Sequence, residues 1–266
     1  VSLAPSLTEV LFAIGAGDHV VGVTDLCDRP PAVRGLPRVG GITSATLRLE
    51  AVVALRPDLV VAIGSDQEAA VEALAGLGLR VEVVPSASLG DVLEAARRLG
   101  EMTGRRAEGS ALAAGLGARV AAVRRGVANL AQEDRPRVFF EVWDRPLMTA
   151  GPGTFLGEMV EMAGGDNVFA DVEGRWVAVS PEAVLARDPE VVLTARRPGG
   201  PAGVADFAAR PGWARLSAVR RGRVHALDGD LVSRPGPRLA EALEQVARYL
   251  HPGRFPGRPG AAQEAR

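Results

Sequence analysis

Two stretches of this chain, Glu50 to Val61 and Glu182 to Leu193, align without a gap across twelve positions. Each opens on an acid suited to the positive end of a short helix. Each then meets a proline followed by an acid, which the helix cannot pass, and continues as a β-branched run suited to a buried parallel strand. One such match is ordinary αβ grammar. A second match changes its weight: Ser6 to Val20 is echoed by Thr154 to Val168, each upstream of its own glutamate segment. Two matched elements in matched order predict two similar α/β lobes.

Strands alternate with helices elsewhere, so the sheets are expected to be mainly parallel. Ser6 and Glu9 read as a capping box opening the first helix, and Val20 to Thr24 as the next strand. Between the lobes, Leu112, Leu116, Val120, Val123, Val127 and Leu130 form one apolar stripe, which predicts a long helix over 106–132. The expected organisation is therefore an N-terminal lobe (1–105), a connecting helix (106–132), a C-terminal lobe (133–250) and a flexible tail (251–266). Asp144 to Gly153 and Asp228 to Pro237 read as loops, Trp176 as a loop residue, and Arg196 to Gly203 as a flexible link.

Charge and composition remove several function classes. A net charge of −1 and a pI near 6.4 give no basic footprint for nucleic acid and no polybasic membrane patch. The single cysteine, Cys27, excludes an internal disulfide and a cysteine-rich metal centre. No apolar run is long enough to span a bilayer. Because the chain opens directly in a strand at Val1, a signal or lipid-anchor segment is expected to have been removed or omitted.

Catalytic motifs are absent: there is no metal-binding His-Glu-x-x-His, no nucleophile elbow and no phosphate loop. The glycine clusters Gly15 to Gly17 and Gly151 to Gly157 lack the dinucleotide spacing. His225 reads as a core residue with a metal role as the alternative. Cys27 reads as a small filler, and Asp25 with Asp28 as either a carboxylate pair or turn caps. What remains is a set of loops at strand carboxyl ends, carrying Trp143, Trp176 and Asp230. Aromatics with a few polar groups suit a cleft for a bulky ligand.

The segments Val1 to Glu9, Val39 to Gly41, Leu49 to Val60, Ala163 to Phe169 and Val179 to Glu182 together resemble the helical-backbone substrate-binding proteins of ABC importers, the cobalamin-binding branch most of all. The resemblance covers the chain to about Leu250. It implies two Rossmann-like α/β lobes joined by one long backbone helix, with the ligand in a cleft between the lobes. It also implies a non-catalytic protein, periplasmic or extracellular and possibly lipid-anchored, that acts as a monomer and hands its ligand to a membrane permease. On it, Pro5, Ser6, Asp25, Ile42, Ser65, Trp143, Trp176 and Asp230 are candidate ligand contacts. Glu50 and Glu182 match the acids that meet permease arginines, with helix capping as the other reading. Cobalamin is the implied cargo and no resident cofactor or metal is implied. Haem or a ferric siderophore is the alternative cargo, with Arg29, Arg145 and Arg234 available to the latter. A nucleotide-dependent enzyme is the alternative from another class.

Overall fold

The structure, a computed structural model, describes residues 1–64, 67–85, 87–196 and 203–256. Ser65, most of the 196–203 link and the tail from 257 onward lie outside the described residues. The chain divides into two compact units, residues 1–117 with 234–237, and residues 118–233 with the chain from 238 onward.

In the first unit, α1 (Pro5–Ala13) starts on Pro5 with Ala4 as a cap that offers no side-chain bond. The expected capping box is therefore corrected. Proline's fixed φ already suits a first helical position, and Ser6 and Glu9 lie inside the helix, buried. Next come α2 (Leu49–Ala54), β1 (Val60–Ala62), α3 (Glu68–Gly76), β2 (Val81–Val83) and α4 (Leu89–Met102). Strands β1 and β2 pair in parallel, and parallel bridges Ser2–Val61, Ser2–Val23 and Val23–Arg38 extend the array. The strand expected at Val20 to Thr24 is reduced to the bridges at Val23. Helix α4 carries the reciprocal capping box of Ser88 and Asp91.

Helix α5 spans Arg106–Val127, about 33 Å at 1.5 Å per residue. Its stripe is real: Leu116, Val120, Val123 and Val127 are each no more than 8% exposed. It packs closely on α4 through glycines, since a Cβ at Gly109 would come within 2.4 Å of the Ala96 carbonyl oxygen. It ends short of residue 132. Gly126 weakens the last turn, and Gln132–Asp134 forms a separate 3-10 turn.

The second unit holds β3 (Arg137–Asp144), β4 (Leu147–Ala150), α6 (Phe155–Met162), β5 (Asp166–Asn167), β6 (Trp176–Ala178), α7 (Pro181–Arg187), β7 (Val191–Arg196), α8 (Val204–Ala208), α9 (Ser217–Arg220), β8 (Val224–Asp228), α10 (Gly229–Ser233) and α11 (Leu239–Leu250). Its sheet runs β6-β4-β3-β7-β8, with β5 also on β3. The pairs β3–β7, β7–β8 and β3–β5 are parallel, whereas β3–β4 and β4–β6 are antiparallel. Three expected loops are corrected here. Residues 147–150 form β4, because Pro146 sits in a tight hairpin and Thr149 Oγ1 donates to the Phe140 carbonyl at 3.0 Å. Trp176 opens β6, and Gly229–Ser233 coils into α10.

The repeat persists in the backbone. Arg56 (φ 46°) and Asp188 (φ 38°) are the non-glycine residues with positive φ among those described, and each is the sixth residue after its repeat's leading glutamate. A left-handed residue closing a helix satisfies its last carbonyls, and the following proline prevents resumption. The expected tail is corrected at its start: His251 is buried, with Nε2 3.0 Å from the Gly164 carbonyl oxygen.

Candidate ligand face

In the second unit the carboxyl ends of β3, β7 and β8 converge on a cavity of about 620 Å³. Ligands of open α/β sheets bind at this end of the strands. The cavity wall includes Trp143 from β3, Trp176 from β6, and Phe155 with Leu156 from the first turn of α6. Asp228 ends β8, and Asp230 and Ser233 belong to α10. Trp143 and Trp176 are 47% and 42% exposed, an unusual state for side chains that bury well. Trp213, by contrast, is 1% exposed in the core with Phe139 and Phe207.

Both exposed tryptophans are held in place before any ligand arrives. Trp143 Nε1 donates to the Arg145 carbonyl at 2.9 Å, and Trp176 meets Phe155 edge to face with centroids 6.1 Å apart. A register shift between Glu141 and Trp143 turns the end of β3, so that Phe140, Val142 and Trp143 share the cavity while Glu141 points to the other side. There Glu141 is fully buried and pairs with Arg210 through both guanidinium nitrogens, while Arg210 lies over Phe207 and Trp213. On the cavity side, the Asp230 backbone N–H donates to Asp228 Oδ1 at 2.9 Å, which holds the Asp228 carboxylate at the start of α10. Phe155 and Asp228 were not singled out from sequence. One reads as an ordinary amphipathic residue and the other as a strand end.

The first unit's candidate contacts differ. Pro5 and Ser6 are buried at the start of α1, where a Cβ at Gly236 would meet the Ser6 backbone at 3.5 Å. Asp25 is exposed and lies 3.8 Å from Arg48 Nη2. Ile42 is half-buried, and its carbonyl accepts from Gln67 Nε2 at 2.7 Å. Gln67 is itself wholly buried, donating also to the Leu3 carbonyl at 2.7 Å and accepting from the Ile63 N–H at 2.9 Å. Leu26, 50% exposed beside Asp25, is a loop apolar group that no sequence pattern singles out.

Cys27 is buried, with its sulfur 3.2 Å from Thr8 Oγ1 and 3.1 Å from Thr24 Oγ1. His225 stacks on Tyr249 at 4.2 Å. Burial and then Arg223 push its pKa down to about 4, so it is neutral near pH 7. Asp28 pairs with Arg234, and Arg145 lies 3.6 Å from Asp144. Among the described residues no cluster of three or more His, Cys, Asp or Glu is placed to hold a metal ion, and no helix is long and apolar enough to cross a membrane. Glu50 and Glu182 are exposed in the first turns of α2 and α7, and Glu182 borders a further cavity of about 490 Å³.

A family model described as periplasmic binding protein matches residues 1–231. An ABC transporter substrate-binding lipoprotein of Bacillus subtilis, itself uncharacterized, is 33% identical over 96% of this chain and 80% of its own length. The vitamin B12-binding protein of Vibrio cholerae is 31% identical over 94% of this chain and 88% of its own. The Vibrio cholerae B12-binding protein also has a crystal structure, with a TM-score of 0.79 at 30% identity and 94% coverage of both chains. A periplasmic haem-binding protein holding two haems superposes with a TM-score of 0.83 at 28% identity, over 94% of this chain and 96% of its own.

Proposed function

The chain belongs to the periplasmic binding protein family, as a substrate-binding component of ABC transport and not an enzyme, and we propose that its cargo is a corrinoid, cobalamin foremost. The observation that carries this reading is the character of the second unit's cavity. Two exposed tryptophans and Phe155 offer a broad aromatic surface to a macrocycle, while Asp228 and Asp230 stand beside it as acceptors. The periphery of cobalamin is rich in primary amides, which donate to carboxylates. Haem carries anionic propionates, which those carboxylates would repel. Among the described lining residues there is also no Tyr, His, Cys or Met to reach an iron, and Tyr249 is occupied by its stack on His225. Nor is there an arginine among the described lining residues, which disfavours an anionic ferric siderophore.

On the same reading Pro5, Ser6, Asp25, Ile42 and Ser65 of the first unit are further ligand contacts. Titrating the purified protein with cyanocobalamin tests the proposal. Heat and tryptophan quenching are expected at micromolar protein, with haemin and a ferric siderophore giving weaker signals. Silence with cyanocobalamin and saturation with haemin would replace this cargo with the second reading, which the likeness to haem-binding structures favours.

We further assign Glu50 and Glu182 to contact with the membrane permease. Their exposure and their matched places in the repeat support this, although a first-turn carboxylate is also worth about 0.3–1 kcal/mol to its helix. Replacing both with Ala is expected to leave cobalamin affinity nearly unchanged while weakening association with the permease, because interface charges act on steering and register. Transport at the full rate by the double variant would overturn the assignment.

A further inference from the structure

Outside the aromatic cavity of the second unit, one surface of that unit gathers positive charge. At the carboxyl end of α5, Arg124, Arg125 and Arg135 line a concavity of about 470 Å³ floored by Val127, Ala128 and Met162. Glu161 is the one acid among its described lining residues, and the exposed Glu133 and Asp134 lie outside that lining. A fourth guanidinium arrives from the far end of the chain: Arg254 Nη1 donates to the Gly126 carbonyl at 3.3 Å. Phe255 pins that segment, because its ring lies where a Cβ on Gly126 would come within 2.5 Å of it.

Complementing the negative end of the helix explains arginines in its last turn, which covers Arg124 and Arg125. It does not explain Arg135, which lies beyond the 3-10 turn. No ion pair joins Arg124, Arg125 or Arg135 to a carboxylate among the described residues. The nearby His251 registers the shared field. Burial lowers its pKa, the Gly164 carbonyl opposes that, and Arg254, Arg223 and Arg135 each push it down further. Guanidinium groups present paired N–H donors matched to the oxygens of a phosphate, and several around one concavity repel one another until an anion sits among them.

We propose that this concavity is an anion site for a phosphate group, held by Arg124, Arg125 and Arg135 with Arg254 at its edge. Free phosphate and the phosphate of an anionic lipid headgroup share this chemistry, and two measurements on the full chain separate them. One is calorimetric titration with inorganic phosphate. The other is co-sedimentation with vesicles of phosphatidylglycerol and phosphatidylcholine in equal parts, with pure phosphatidylcholine as the blank. Binding in the first alone identifies a small anion, in the second alone a headgroup, and in both a phosphate in either setting. Arg124→Gln with Arg135→Gln is expected to lower the affinity about tenfold or more, the effect of losing a charge-assisted bond. Cyanocobalamin titration should not change. Should Arg135→Gln fail to fold, the exposed pair Arg124→Gln and Arg125→Gln carries the test. Lysine at the same positions keeps the charge without the fork and should restore only part of the binding. Binding of neither probe, or binding indifferent to these substitutions, overturns the site.

Discussion

The two units carry the same helix, stop and strand, yet their ligand faces are built on different principles. In the second unit, large aromatic side chains stand partly exposed around a cavity, Trp143 held by a hydrogen bond and Trp176 by an edge-to-face ring contact. In the first, the expected contacts are small or polar and already engaged: Ser6 is buried, Asp25 lies near Arg48, and the Ile42 carbonyl is taken by Gln67. The repeated scaffold is thus common to both units, while the exposed aromatic surface belongs to the second. The aromatic face should dominate affinity, and the first unit's face should depend on its internal bonds for shape.

The sharpest way to break this comparison is Trp176→Ala. Buried aromatic anchors carry about 2 kcal/mol or more of binding free energy, with some reaching 4, so cyanocobalamin affinity should fall by about thirtyfold or more. Because Trp176 is 42% exposed in the free protein, the melting temperature should hardly move. Equal loss of affinity and stability would make Trp176 a core residue and remove the asymmetry.

On the other unit, Gln67→Ala should act in the opposite sense. It strands the buried Leu3 carbonyl and the half-buried Ile42 carbonyl and Ile63 N–H; an unmet hydrogen bond at a buried group costs about 1–3 kcal/mol before relaxation. We expect a net loss of about 2 kcal/mol in denaturant unfolding, with a smaller change in affinity than Trp176→Ala produces. An affinity loss as large as that of Trp176→Ala would mean that the first face carries as much of the binding as the second.

How much of this was legible follows the same division. Trp143, Trp176 and Asp230 stood out because large aromatics and acids at strand ends are hard to explain as core, and all three line the cavity. Phe155 gave no signal, since a first-turn Phe fits any amphipathic helix. Strand β4 was hidden by Pro146 and Gly151, which read as loop punctuation although they only bound a four-residue strand. The long helix was overextended because its apolar stripe continues to Leu130, whereas Gly126 and the approach of Phe255 end it at Val127. In the first unit, Gln67 organises the face through three bonds to backbone atoms, two of them, at Leu3 and Ile42, far away in sequence. No periodicity or spacing could announce that.

The smallest effect concerns the loop that follows Asp25. Burial pushes the Asp28 carboxyl up, but the hydrogen bond and charge of Arg234 more than offset it and hold its pKa below the ordinary aspartate value. A depressed carboxylate pKa adds stability above the unfolded value, near pH 4, and that contribution disappears as pH falls through the folded value. The Asp28 side chain is 53% exposed, so solvent screening limits the contribution to a few tenths of a kcal/mol. Asp28→Asn should therefore cost only that little at pH 7 and less at pH 2, measured by denaturant unfolding at both. Arg234 follows directly on α10, whose Asp230 and Ser233 line the aromatic cavity. If Asp28→Asn also lowers cyanocobalamin affinity at pH 7, the Asp28–Arg234 pair anchors the chain at the end of that helix for binding.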